Sequence, residues 1–291
     1  MATVGIVFFS GTGNTWRIAM SYCRAFAARG LEAALVPMED LMRGDDCALL
    51  DHYDLLGIGY PIHAWNAPRL VSEFMSRLPR SEGQQVFLFV TAAYNVSGAF
   101  DWARAKLTRL GYDLIHESRY YTGSYYLQPA FRRMSDADIT NRFTWCGQDV
   151  QEAVAEMTTG TRRRVDASDG SRFVLSTLLW NAYLLACRRL RSFLYADARC
   201  DQCGLCVQTC PTDNISLIGT GVTLGTNCTA CLRCLSVCPQ EAIQIARLTE
   251  SIGRYTAQGY LDAVSARREE DKGVTCPGPP ARAVIEPQPK Q

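Results

Sequence analysis

The sequence predicts an α/β chain: a doubly wound five-stranded parallel sheet, then a small α+β domain built around cysteines. Three observations lead there. Apolar, partly β-branched runs alternate with helical stretches as far as about residue 157. Loops rich in glycine, small residues or proline follow three of those runs. Eight of the thirteen cysteines then fall into two copies of one spacing.

Val4 to Phe9 reads as the first strand and runs into Ser10, Gly11, Thr12, Gly13, Asn14 and Thr15. A helical stretch follows and ends at Arg29-Gly30, where glycine suits the left-handed position after a helix. Leu31 to Val36, Leu55 to Tyr60, Gln85 to Ala92 and Tyr112 to Tyr121 read as strands two to five. Pro68 to Leu78 and Gly98 to Leu110, the latter closed by Gly111, read as helices between them. Ser135-Asp136-Ala137-Asp138 opens a further helix to about Met157 in a capping-box arrangement. Repeated βαβ units give a parallel sheet covered on both faces, with ligands beyond the C-terminal strand ends where the strand order reverses.

The loop from Ser10 to Thr15 falls at that edge. Hydroxyls and successive backbone N–H groups at a helix N-terminus form an anion cradle. An ATP loop needs Gly-Lys-Ser/Thr, which is missing, and Trp16 stands where a dinucleotide fingerprint places its third glycine. A tight turn without a ligand is the plain alternative. Two more loops share the edge: Pro61, Ile62, His63, Ala64, Trp65, Asn66 and Ala67 after the third strand, and Thr91, Ala92, Ala93, Tyr94, Gly98 and Ala99 after the fourth. Aromatic rings, small residues and backbone donors there suit a flat heteroaromatic ring system.

The cysteine copies are Cys200, Cys203, Cys206, Cys210-Pro211 and Cys228, Cys231, Cys234, Cys238-Pro239. Three closely spaced thiolates reach three corners of a cubane iron-sulfur cluster, while the fourth, turned away before proline, ligates the other cluster. The predicted sets are crossed. Cys200, Cys203, Cys206 and Cys238 hold one 4Fe-4S cluster, and Cys228, Cys231, Cys234 and Cys210 hold the second. Zinc and disulfides are the alternatives, but neither accounts for a third cysteine and a Cys-Pro in both copies. Cys23, Cys47, Cys146, Cys187 and Cys276 read as free thiols of a reducing compartment. The start carries no basic segment before its apolar run, so the expected location is cytoplasmic. Thirty basic against 29 acidic residues, evenly spread, exclude a nucleic-acid surface.

Four segments are expected: the sheet domain (1–160), a linker with an interdomain helix (161–195), the cluster domain (196–260) and a helix end with a disordered proline-rich tail (261–291). Arg162-Arg163-Arg164 reads as a solvated linker face, and Phe173 to Phe193 as one helix packing the two domains together. Its apolar part is too short, and too soon followed by arginines, to span a bilayer; lipid contact along its apolar face is the lesser alternative. From Lys272 the chain is too polar and proline-rich to pack.

Phe9 to Thr15, followed by Tyr60-Pro61 to Pro68, resembles the flavodoxin phosphate loop and the first of its flavin-flanking loops. Together with the paired cysteine motifs, Asp213-Asn214-Ile215, Gln240-Glu241-Ala242-Ile243 and Arg254-Tyr255, residues 2 to 260 resemble the flavodoxin-ferredoxin fusion proteins called ferrodoxins. The resemblance implies a flavodoxin-like domain and a bacterial ferredoxin-like domain. It implies FMN with its phosphate at residues 10–15 and its ring between residues 61–67 and 91–99. Ala93 and Tyr94 depart from the glycine-rich loops common there. Such a chain would convert between two-electron flavin and one-electron cluster chemistry, serving a redox donor and acceptor as partners. The alternative is an enzyme whose flavin reduces a small substrate, with His63 supplying a proton; no residue is assigned a catalytic role.

Overall fold

A computed structural model describes residues 2–44, 47–63, 66–93, 99–122, 136–165, 193–219, 221–246, 249–250, 254–256, 259–260, 262 and 274–275. Five parallel strands form the main sheet: β1 (Thr3–Phe8), β2 (Glu32–Pro37), β3 (Leu55–Pro61), β4 (Gln85–Ala92) and β5 (Asp113–Tyr121). Their order is β2-β1-β3-β4-β5, the flavodoxin-like order, which reverses direction between β1 and β3. Each strand lies within one residue of its expected start and end.

Side chains alternate across the pleat and build one apolar layer on each face. Val4, Ile6 and Phe8 join α1 (Asn14–Ala27) and α5 (Asp136–Thr158) on one side. Val7 and Phe9 join α2 (Met38–Gly44), α3 (Arg69–Arg77) and α4 (Ala99–Leu110) on the other. Gly57 and Gly59 on β3 let the Phe87 and Phe89 rings of β4 lie flat on the sheet: a Cβ at Gly59 would meet the Phe89 ring at 2.0 Å. Each buried phenylalanine contributes about 1.5–3 kcal/mol, and a methyl group at either glycine would displace one.

The cluster domain is an internal repeat. Its elements are β6 (Leu194–Ala196), α6 (Leu205–Gln208), β7 (Ile215–Ile218), β8 (Gly221–Leu224), α7 (Arg233–Val237) and β9 (Ile243–Ile245). β6 pairs antiparallel with β9, and β7 with β8. The offset between copies is that from Cys200 to Cys228, and the backbone follows it at three left-handed positions around the cysteines. Gln202 and Ala230, Gly204 and Leu232, and Asp213 and Glu241 all have positive φ.

Four expectations change. Residues 162–165 do not lead away from the sheet domain, although Arg162 and Arg164 are exposed. They lie along β5, with the Glu117 amide donating to the Arg163 carbonyl, Arg162 paired to Asp113 at 2.7 Å and Arg163 to Glu156 at 2.6 Å. The cluster domain begins at β6, ahead of residue 196, because that strand is needed to pair β9. The tail is not wholly unstructured: Val274–Thr275 (β10) adds an antiparallel edge strand to β2 on the side away from β1. Cys23 is disulfide-bonded, not a free thiol, and its Sγ lies 3.5 Å from the carbonyl of Ala33 on β2. Cys47 and Cys146 are buried. The expected helix at 173–193, Cys187 and Cys276 lie outside the described residues, apart from Phe193. No helix among the described residues is long and apolar enough to cross a membrane.

Candidate cofactor sites

The three predicted loops meet at the C-terminal edge of the sheet, beside the switch point. Gly13, at φ 95°, makes the turn into α1, and its N–H donates to Ser10 Oγ at 3.1 Å. Thr15 and Thr91 hydroxyls bond at 2.8 Å, tying the first loop to the end of β4. The Ile62 N–H donates to the Thr91 carbonyl at 2.8 Å, tying in the end of β3. His63 and Asn66 then exchange two backbone hydrogen bonds, and the Asn66 side chain accepts from the Ala67 N–H, so the second loop is a closed turn. Thr12 is half-buried, while Ser10, Gly11, Asn14 and Thr15 are buried. Pro61 is half-buried; Ala92 is buried, Ala93 less so, and Ala99 opens α4. Ala64, Trp65, Tyr94 and Gly98 lie outside the described residues. Burial lowers the His63 pKa to about 4, so this imidazole is neutral at pH 7.

Two small cavities in the cluster domain are lined by cysteines in the grouping that crossed ligation requires. Cys200, Cys203, Cys206 and Cys238 line one, and Cys210, Cys228, Cys231 and Cys234 line the other. The positive-φ residues wrap the backbone around each cavity, and amides are aimed at sulfur: Asn214 N–H to Cys210, Ala230 N–H to Cys228 and Ala242 N–H to Cys238, each 3.3 Å. Such donors favour thiolate and a bound cluster. Among the described residues no three His, Cys, Asp or Glu side chains converge as a single metal ion requires. The thiols are arrayed round a space, which suits a polynuclear cluster better than tetrahedral zinc. Burial raises the Cys206 pKa to about 11 and that of Cys231 to about 12. Metal must therefore displace their protons on assembly.

The second arm packs directly on the glycine-rich loop. A Cβ on Gly11 would lie 2.3 Å from the Cys231 carbonyl oxygen, so only glycine permits this approach. Arg233 donates to the Ser10 carbonyl through Nη2 at 2.6 Å and Nε at 3.2 Å, and Tyr260 donates to the same oxygen. With that carbonyl turned toward the cluster arm, the Gly11 N–H across the trans peptide points away from it. Tyr255 donates to Asn14 Oδ1 at 2.7 Å. Arg43 donates to the Cys210 carbonyl at 2.8 Å and pairs with Asp213 at 3.0 Å. Glu39, Arg43, Arg233 and Tyr260 escaped sequence reasoning. One signal was available: overlaying the two cysteine copies sets Arg233 against Leu205, a charge where its equivalent is apolar.

Residues 197–216 match the family model of the 4Fe-4S binding domain. No curated protein matches the chain. Among solved structures, flavodoxin 2 from Bacillus cereus is similar at 21% identity over 54% of this chain and 99% of that one, with a TM-score of 0.39. Reduced Megasphaera elsdenii flavodoxin is similar at 22% identity over 52% of this chain and 99% of that one, TM-score 0.38. A flavodoxin from the domain Archaea gives 14% identity, 53% and 99% coverage, and a TM-score of 0.36. The strand order and the family match define the class: a flavodoxin-like sheet fused to a ferredoxin-type iron-sulfur domain in one chain.

Proposed function

We propose that this protein is a cytoplasmic electron carrier that passes low-potential electrons between FMN and two 4Fe-4S clusters, and on to a partner redox enzyme. The observation that carries the reading is the packing of Gly11 against the Cys231 carbonyl. A phosphate cradled by Ser10 to Thr15 would sit beside a cluster held by Cys210, Cys228, Cys231 and Cys234, and electron tunnelling falls steeply with distance. Thr12, Thr15 and the loop amides would hold the phosphate; residues 61–67 and 91–99 would flank the ring. When bound, FMN takes two electrons and releases them singly, which matches one-electron clusters.

The test is anaerobic rapid mixing of the purified, reconstituted protein with reduced ferredoxin, following flavin absorbance and cluster resonance together, alongside turnover assays with candidate substrates. Electron exchange between clusters and flavin without substrate consumption is expected. A protein that takes up no flavin from added FMN would overturn the flavin half of the reading, and sustained turnover of a small substrate would overturn the carrier role.

A further inference from the structure

Arg233 is 3% exposed and lies between the two candidate sites. Its guanidinium spans three pieces of chain: the Ser10 carbonyl of the glycine-rich loop, the Thr209 carbonyl beside Cys210 at 3.0 Å, and the buried carboxylate of Glu39 at 2.7 Å. It follows Cys231 by two residues and precedes Cys234, so it flanks the loop-side cysteine set. The outer set has no buried cation beside it among the described residues. Leu205 takes the equivalent position; the charges beside the outer set are exposed, Asp201 accepting the Cys203 N–H at 3.1 Å and Arg199, next to Cys200, pairing with Asp197 at 2.6 Å. One set therefore has a buried cation at its side, and the other only solvent-exposed charges of both signs.

Reducing a cubane adds one negative charge to it, and the energy of that charge depends on fixed charges nearby, most strongly where water is excluded. Resting on the two-cluster reading above, we infer that Arg233 is a positioning residue that sets the two clusters apart in potential, holding the loop-side cluster higher than the outer one. Glu39 opposes it and fixes the size of the difference. The loop-side cluster is then the one on which an electron rests between the flavin and the outer cluster.

Arg233→Gln, Arg233→Lys and Glu39→Gln in the full chain test this by anaerobic potentiometric titration with paramagnetic resonance. Cys203→Ala and Cys231→Ala assign the two signals. Arg233→Gln is expected to lower the loop-side midpoint, Glu39→Gln to raise it, and Arg233→Lys to leave it near the wild type, with the outer midpoint unmoved in all three. Opposite shifts from the two partners of one ion pair are not what loosened packing produces. Unmoved loop-side midpoints, or equal shifts in both clusters, would overturn the inference. Should Arg233→Gln fail to assemble iron, the Glu39→Gln sign still decides. A wild-type protein with iron for only one cluster would instead overturn the two-cluster reading beneath it.

Discussion

The two cysteine arms share a backbone and differ in what surrounds them. Positive φ recurs at Gln202 and Ala230, Gly204 and Leu232, and Asp213 and Glu241, and the Asn214 and Ala242 amides point at the fourth sulfur of each arm. The first arm faces outward, with Cys203 exposed and Leu217 and Ile218 uncovered nearby. The second is buried against the sheet domain through Cys231, Arg233 and Gly11. The pair teaches that a repeated backbone is enough to gather four cysteines round a cavity twice over. Their neighbours set them apart: Arg233 and Gly11 join the second arm to the glycine-rich loop, while the first stays open to solvent.

The largest expected effect breaks the pairing of arms with clusters. Cys210→Ala should remove the cluster of Cys228, Cys231 and Cys234, and Cys238→Ala the other, each losing roughly half the iron in anaerobic counting. The surviving resonance of Cys210→Ala should match that of Cys231→Ala; a match to Cys203→Ala would show that each arm binds its own cluster. On the flavin side of the second arm, Thr12→Ala with Thr15→Ala removes two hydroxyls proposed for the phosphate, each worth about 1.5–3 kcal/mol. FMN affinity measured by fluorescence quenching should fall while iron stays full, and unchanged affinity would place the phosphate elsewhere.

A smaller effect acts on the contact itself. Gly11→Val drives a side chain into the Cys231 carbonyl, where backbone on both sides has little room to yield, at about 1–3 kcal/mol by overpacking. Its melting temperature should drop, whereas Gly147→Ala, in open space on α5, should match or exceed the wild type. The smallest effect belongs to the exposed arm. Asp201→Asn weakens the acceptor of the Cys203 amide, so the outer cluster should yield iron to a chelator slightly faster and the loop-side cluster at its normal rate. Equal acceleration of both would show that the arms are not independent.

The sheet was legible because β1 to β5 are apolar runs punctuated by glycine and proline, a pattern set by local backbone geometry and burial. The cysteine spacing likewise pointed to clusters from sequence alone, since thiolate reach depends on the few residues between ligands. The glycine-rich loop after Phe9 was visible for the same reason. Contacts joining distant segments were not legible. Glu39, in the helix after β2, meets Arg233 only because the cluster domain docks on that edge, and nothing local marks Glu39 as anything but a surface carboxylate. The pairing of Val274–Thr275 with β2 and the bonding of Arg162 and Arg163 to the sheet domain are of the same kind. Sequence by itself determined the two modules and the ligand types, because those depend on spacing along the chain. Tertiary structure decided which cluster arm faces the loop, because a charge buried between domains is stable only where folding brings its partner and its hydrogen-bond acceptors to it.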